Sequence, residues 1–197
     1  MIKKSEQTTA LVFSTIAFTF SFAVWTIFSI IGIKIKEQLS LSGFQFGLLA
    51  GTPILTGSLI RLHMGIWSEQ YGSRRVFTLL MISSAISTYL LSTATTYPMM
   101  LLAALGLGVA GGTFITGIVY VAHWFPKERQ GTAMGILGMG NGGAAVTKLL
   151  APVVMMAIGS WQGVVQIWAA ALLLMALIFW LATKEDPTLT ERQARGE

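Results

Sequence analysis

The sequence predicts an all-α membrane protein with six transmembrane helices. Three observations carry that prediction. Hydrophobic residues fill 54% of the 197 positions, while charged residues fill 11%, against roughly 25% in a soluble globular domain. Apolar runs of about 20 residues, enough to cross a hydrocarbon core, recur along nearly the whole chain. Short polar or charged breaks separate these runs, and each break has a chemical cause.

The first span covers about 9–33. Its flank MIKK imitates a secretory signal, but the apolar run from Thr9 to Ile33 exceeds a signal h-region and shows no convincing small-x-small cleavage site, so it reads as a retained helix. Lys34, Lys36 and Glu37 end it. The second span, about 44–68, stops at the charged stretch from Glu69 to Arg75. The third, about 75–94, turns at Tyr97-Pro98 into the fourth, about 97–123. Pro126, Lys127, Glu128 and Arg129 then precede the fifth, about 131–157, and Gly159-Ser160 leads into the sixth, about 162–183. Residues 184–197 form a polar tail that is expected to fray.

An even number of spans puts both termini on one side, together with the loops after the second and fourth spans. That side carries Lys3, Lys4, Arg74, Arg75, Lys127, Arg129 and Lys184, against Lys34 and Lys36 on the other. The positive-inside rule therefore predicts that both termini lie in the cytoplasm. The net charge of +5 is explained by these loop and tail cations, so no nucleic-acid partner is expected. Cysteine is absent, which excludes disulfides and thiolate chemistry. The spans hold no metal-ligand cluster, paired carboxylates or nucleophile beside a base, so neither a cofactor nor enzymatic activity is expected.

Much of the glycine lies inside spans, where close backbone approach replaces the hydrophobic effect as the source of helix packing. Gly108 and Gly112 are spaced four apart in the fourth span. In the fifth, Gly131, Gly135, Gly138, Gly142 and Ala145 follow steps of four and three and make one narrow face. Both faces are expected to cross a neighbouring helix tightly.

Two cations fall inside spans, Arg61 and Lys148. An arginine at the centre of a membrane helix costs ~2.5–3.5 kcal/mol on insertion scales. Its neighbours Gly57, Ser58 and Gly65 form a small-residue face that lets other helices approach while the guanidinium projects into a cavity. No acid lies within any span; Glu69, nearest along the helix, is about 12 Å away axially. The interior is therefore formally positive, and its complement is a small anion. Planar N–H donors suit nitrate, nitrite, carboxylate or phosphate. Asn141 offers an amide donor, and Phe22, Trp25 and Tyr120 are candidate pocket walls. Two readings of Lys148 stand side by side: a ligand on the Asn141 face, or a side chain snorkelling to the outer interface. His63 and His123 sit near cytoplasmic ends, where interfacial hydrogen bonding is the plainer role.

The stretch GIWSEQYGSRR, residues 65–75, resembles the loop motif of the major facilitator superfamily, with Glu69 in place of the usual Asp and Gln70 in place of the usual Arg. WFPKERQGTAMG, residues 124–135, looks like that superfamily's connection between fourth and fifth helices. PILTGSLIR, residues 53–61, together with GMGNGG, residues 138–143, is similar to the nitrate/nitrite porter (NarK-type) family. The resemblance implies substrate binding at Arg61 and signature roles for Gly138, Gly140, Asn141 and Gly142. It further implies that the chain corresponds to the amino-terminal six-helix half of a twelve-span bundle whose second substrate arginine lies on the eighth helix. Such a half is expected to act with a partner, either as a homodimer or with a separate carboxy-terminal half; a truncated remnant or a non-transporting membrane subunit is the alternative.

Overall fold

The computed structural model describes residues 3–187 and Leu189. Six helices long and apolar enough to cross a membrane run in chain order: α1 Lys4–Gln38, α2 Gly43–Tyr71, α3 Ser73–Thr93, α4 Tyr97–Trp124, α5 Lys127–Ile158 and α6 Trp161–Ala182. Helices suit the bilayer because every backbone group must be satisfied within its own segment. Two buried hydroxyls of the first span show how side chains meet the same constraint. In α1, Ser14 and Ser21 donate to the carbonyl oxygens of Ala10 and Ala17, one turn back, at 2.6 and 2.9 Å.

The helix ends have local causes. Ser42 caps α2 in a reciprocal box with Gln45, accepting from its backbone N–H at 3.2 Å. Gly72 ends α2 at φ +96°, a conformation that suits glycine and explains its place in the loop motif. Gly159 closes α5 in the left-handed region, and Ser160 caps α6 through the N–H of Gly163. At the far end of α1, Lys34, Lys36 and Glu37 do not break the helix as expected. It runs on to Gln38, and Lys34 pairs with Glu37 at 3.1 Å on its surface.

Three helices are interrupted. α1 loosens between Trp25 and Phe28. α4 tightens to a 3₁₀ turn over Val109–Gly112, and α5 does the same over Met139–Gly142. These tightened turns lie where backbones come closest. A Cβ on Gly111 would stand 2.8 Å from the Cα of Gly57, and one on Gly108 would stand 2.7 Å from the Pro53 carbonyl oxygen, so α4 and α2 touch through glycine as expected. Gly112 is somewhat less tight, a Cβ there standing 3.0 Å from the Met64 side chain.

The expectation for α5 requires correction. A Cβ on Gly131, Gly135, Gly138 or Gly142 would meet nothing within 4 Å. The tight contacts fall one face away: a Cβ on Gly143 would lie 2.1 Å from the Thr19 carbonyl oxygen, and one on Gly140 would lie 2.4 Å from the Phe18 ring. Thr147 then donates to the Ala23 carbonyl oxygen at 2.6 Å and accepts from Trp168 Nε1 at 2.9 Å, tying α1, α5 and α6 together. α2 and α5 are the least buried of the six spans. Their exposed faces carry large apolar residues such as Leu59, Leu62, Leu149 and Met156. α3 and α6 pair on the other flank, with Phe77 and Phe179 rings 4.9 Å apart.

The tail also departs from expectation over its described part. His123 on α4 lies between Glu69 of α2 at 3.2 Å and Asp186 at 3.4 Å, and Asp186 accepts from the Leu189 N–H at 2.9 Å. Glu185 accepts from the Arg74 N–H at 3.0 Å. Residues 184–187 therefore dock on the rim formed by α2, α3 and α4; Thr188 and residues 190–197 of the expected polar tail lie outside the described residues. Burial, the largest single influence, works to raise the Asp186 pKa, but the His123 contact and the backbone N–H groups of Leu189 and Ser73 together outweigh it and leave that carboxyl below its ordinary range. A lowered pKa means that this docking contribution is present above the ordinary aspartate range and is lost as pH falls through the native value. Burial pushes Glu185 the opposite way, so its share fades as pH rises through its raised value. Asp186→Asn is expected to free the tail at neutral pH. Maleimide labelling of a Leu189→Cys probe, clean because the chain has no native cysteine, should then accelerate several-fold; unchanged labelling would show that the carboxylate does not hold the tail.

Candidate functional site

Arg61 is half-buried on α2, one turn beyond Gly57. The glycine contact at Gly57 and Gly111 brings the α4 backbone within reach of the side chain. Arg61 Nε donates to the Gly111 carbonyl oxygen at 3.2 Å. That bond uses one of five guanidinium N–H groups and leaves the Nη edge available. Aromatic rings flank the cation: its Cζ lies 5.6 Å from the Trp25 ring and 5.7 Å from the Phe114 ring. A cation over two π-faces is attracted by their quadrupoles, by roughly 0.5–2 kcal/mol for each ring depending on desolvation. Trp25 is itself anchored, its Nε1 donating to the Pro53 carbonyl oxygen at 3.0 Å. No ion pair to Arg61 occurs among the described residues.

These groups enclose a cavity of about 240 Å³, lined by Phe18, Phe22, Trp25, Arg61, Gly111, Phe114 and Asn141. It sits between α1, α2, α4 and α5, near the midpoints of their long helices. Asn141 lies on the 3₁₀ turn of α5 and spends one amide N–H on the Gly138 carbonyl oxygen at 2.9 Å. Its other N–H and its oxygen remain for a guest. The chemistry offered is one permanent cation, one amide and a ring of aromatic carbon.

The expected residues divide by position. Arg61 and Asn141 share the cavity, as do the walls Phe22 and Trp25. Gly138 contributes its carbonyl to Asn141, and Gly140 seats the Phe18 ring. Gly142 faces open space. Tyr120 is corrected: it does not line the cavity. It is fully buried nearer the tail, donates its hydroxyl to the Lys184 carbonyl oxygen and packs against Trp124 and Phe179. Nine residues separate it from Gly111, about 13 Å along a helix, too far for a shared small pocket. Lys148 is exposed on α5 and lies outside the cavity.

Sequence reasoning missed Phe18, Phe114 and the Gly111 carbonyl. Phe18 had a signal, standing four residues before Phe22 on one helical face. Phe114 stands three after Gly111, but nothing local marks which neighbour that face meets.

Comparison with known proteins follows the same lines. A family model described as Major Facilitator Superfamily matches residues 13–197. The "Probable nitrate/nitrite antiporter NarK1" of Thermus thermophilus is 37% identical, the match covering 98% of this chain and 46% of that protein. The "Probable nitrate transporter NarT" of Staphylococcus carnosus (strain TM300) is 32% identical, with 94% and 48% covered. The chain thus spans about half the length of the curated relatives it matches. A solved bacterial homolog of the human lysosomal transporter Spinster, in its inward-facing and occupied conformation, superposes with a TM-score of 0.82 at 24% identity, covering 94% of this chain and 46% of that one. At that identity the likeness concerns the fold.

Proposed function

The chain belongs to the Major Facilitator Superfamily and is an integral membrane protein, and from that premise we propose that it forms one half of a transporter for a small inorganic oxyanion, nitrate or nitrite. One observation carries the reading: Arg61, fixed by the Gly111 carbonyl and set beside the Trp25 and Phe114 rings, faces a small cavity without a paired acid among the described residues. A permanent cation in a poorly hydrated site gains most from a guest that brings the missing charge. The guanidinium fork matches two oxygens of a planar oxyanion, and Asn141 supplies a further donor. The aromatic walls exclude water and so strengthen that pairing. The names of the relatives, a nitrate/nitrite antiporter and a nitrate transporter, fit this chemistry.

A second six-helix unit completes the path. The cavity borders α2 and α5, whose apolar faces are the least covered in the chain, so a partner seated there would close the site from the open side. That partner is either a second copy, which would bring two Arg61 side chains toward one axis, or a carboxy-terminal half. Both termini face the cytoplasm, with Arg74, Arg75, Lys127 and Arg129 on the inner rim. The test is nitrate and nitrite flux into proteoliposomes containing purified protein of defined stoichiometry. Oxyanion flux that chloride does not compete for is expected from the assembled form. Absence of both flux and oxyanion binding in every assembly would favour a non-transporting membrane subunit.

A further inference from the structure

A second cavity lies far from Arg61, on two helices that contribute nothing to the anion site. α3 and α6 enclose an outward groove of about 800 Å³. Its walls are Leu79 and Ile82 on one side and Leu173, Leu174, Leu177 and Trp180 on the other. From Ala170 to Trp180 the groove follows ten residues of α6, about 15 Å, or half of a ~30 Å hydrocarbon core. That is the depth of a single leaflet.

The mouth is cationic. Arg75 lines it, with its side chain 58% exposed. Its contact with Glu185 is long, 3.8 Å, and a partly exposed pair of that kind contributes little. Glu185 meanwhile accepts from the backbone N–H of Arg74. The guanidinium of Arg74 stacks 4.0 Å from the Trp180 ring and donates to the Trp180 carbonyl oxygen, holding that ring as the groove's upper wall. Both arginines belong to the first turn of α3, where the helix dipole adds positive potential. A tryptophan beside two arginines marks the headgroup level of a membrane.

We propose that this groove is a binding site for one anionic phospholipid, with an acyl chain along α3 and α6 and the headgroup phosphate on Arg75. The argument rests on charge complementarity and depth. An apolar slot one leaflet deep, closed at its polar end by a free-edged guanidinium, matches a ligand with a hydrocarbon body and a phosphate head. Basic pockets between transmembrane helices hold such headgroups by the same chemistry. A partner half has a different surface available, because the open faces of α2 and α5 flank the Arg61 cavity.

The test is native mass spectrometry of the full chain, released from detergent micelles supplemented with phosphatidylglycerol or phosphatidylcholine. The native chain is expected to retain phosphatidylglycerol about fivefold over phosphatidylcholine, the preference one surface cation confers. Arg75→Gln should bring the two lipids to parity. Ala170→Trp, a bulky change at an exposed position, should lower retention of both. Equal retention of the two lipids by the native chain would overturn the proposal, as would an undiminished preference in Arg75→Gln. Displacement of phosphatidylglycerol by millimolar inorganic phosphate would overturn it too, by making the site a phosphate site. Finally, efficient disulfide crosslinking between copies of a Leu174→Cys variant in vesicles would assign the groove to a chain–chain contact and sink the lipid reading.

Discussion

Arg61→Ala should weaken nitrate or nitrite binding by a factor of roughly 30 or more, because removing one partner of a desolvated charge pair costs about 2–5 kcal/mol. The half-buried setting of the side chain places the effect toward the lower end. Calorimetric titration with each anion measures it, with chloride as the control. A fold defect is separable. The substitution removes a cation that the membrane interior disfavours, and with it the 3.2 Å bond to Gly111 and the ring contacts to Trp25 and Phe114; these effects oppose each other, so the anion-free variant should melt close to the native temperature. Arg61→Lys is the sharper comparison. An ammonium is a point donor on a shorter, unbranched tip, and it cannot hold the Gly111 carbonyl and a planar oxyanion with one fixed fork. Its affinity should fall between native and alanine. Native affinity in the lysine variant would show that charge alone matters, and native affinity in the alanine variant would remove Arg61 from the site.

Gly143→Leu is expected to be the most damaging single change to the bundle. Even the Cβ would lie 2.1 Å from the Thr19 carbonyl oxygen and 2.7 Å from the Ala23 amide nitrogen. Those are backbone atoms, which cannot rotate away, so α1 and α5 must separate. Overpacking of this kind costs typically ~1–3 kcal/mol and sometimes more. Separation would also stretch the Thr147–Ala23 and Trp168–Thr147 hydrogen bonds. The apparent melting temperature in detergent should drop by several degrees. Gly138→Leu, five residues earlier, is the paired control. A Cβ there meets nothing, and replacing glycine within a helix gains up to ~1 kcal/mol of propensity. The isolated chain should tolerate it. If the α5 glycine face is instead a contact between two six-helix units, the same variant should assemble poorly and lose flux while its melting temperature holds. Equal stability losses at Gly138 and Gly143 would contradict the packing described for α5.

The difference between these two glycines also shows how far a sequence can be read. The repeat of Gly131, Gly135, Gly138 and Gly142 announced a narrow smooth face, and that face exists. Spacing alone implied that it meets a helix of this chain. The structure instead packs α1 against the neighbouring positions Gly140 and Gly143, because Phe18 and Thr19 sit on that side. Tyr120 illustrates the same limit. Its aromatic character suggested a pocket wall, yet its hydroxyl was needed by the Lys184 carbonyl of the docked tail. The tail itself looked too polar to pack. It docks because His123 and Glu69, neither remarkable alone, stand together on the rim where Asp186 can join them.

What the sequence determined by itself was the number of membrane helices, the unpaired cation at Arg61 and the loop motif that carries the family likeness. Hydropathy and charge are local, and in a bilayer the helix is the one open-chain conformation that satisfies every backbone group within its own segment. Only the tertiary structure decided which faces touch. It supplied the Gly111 carbonyl to Arg61, chose Phe18 and Phe114 as walls and set Tyr120 apart. Helical periodicity tells which residues share a face, but the identity of the neighbour depends on crossing points set by backbone contacts distant in the chain.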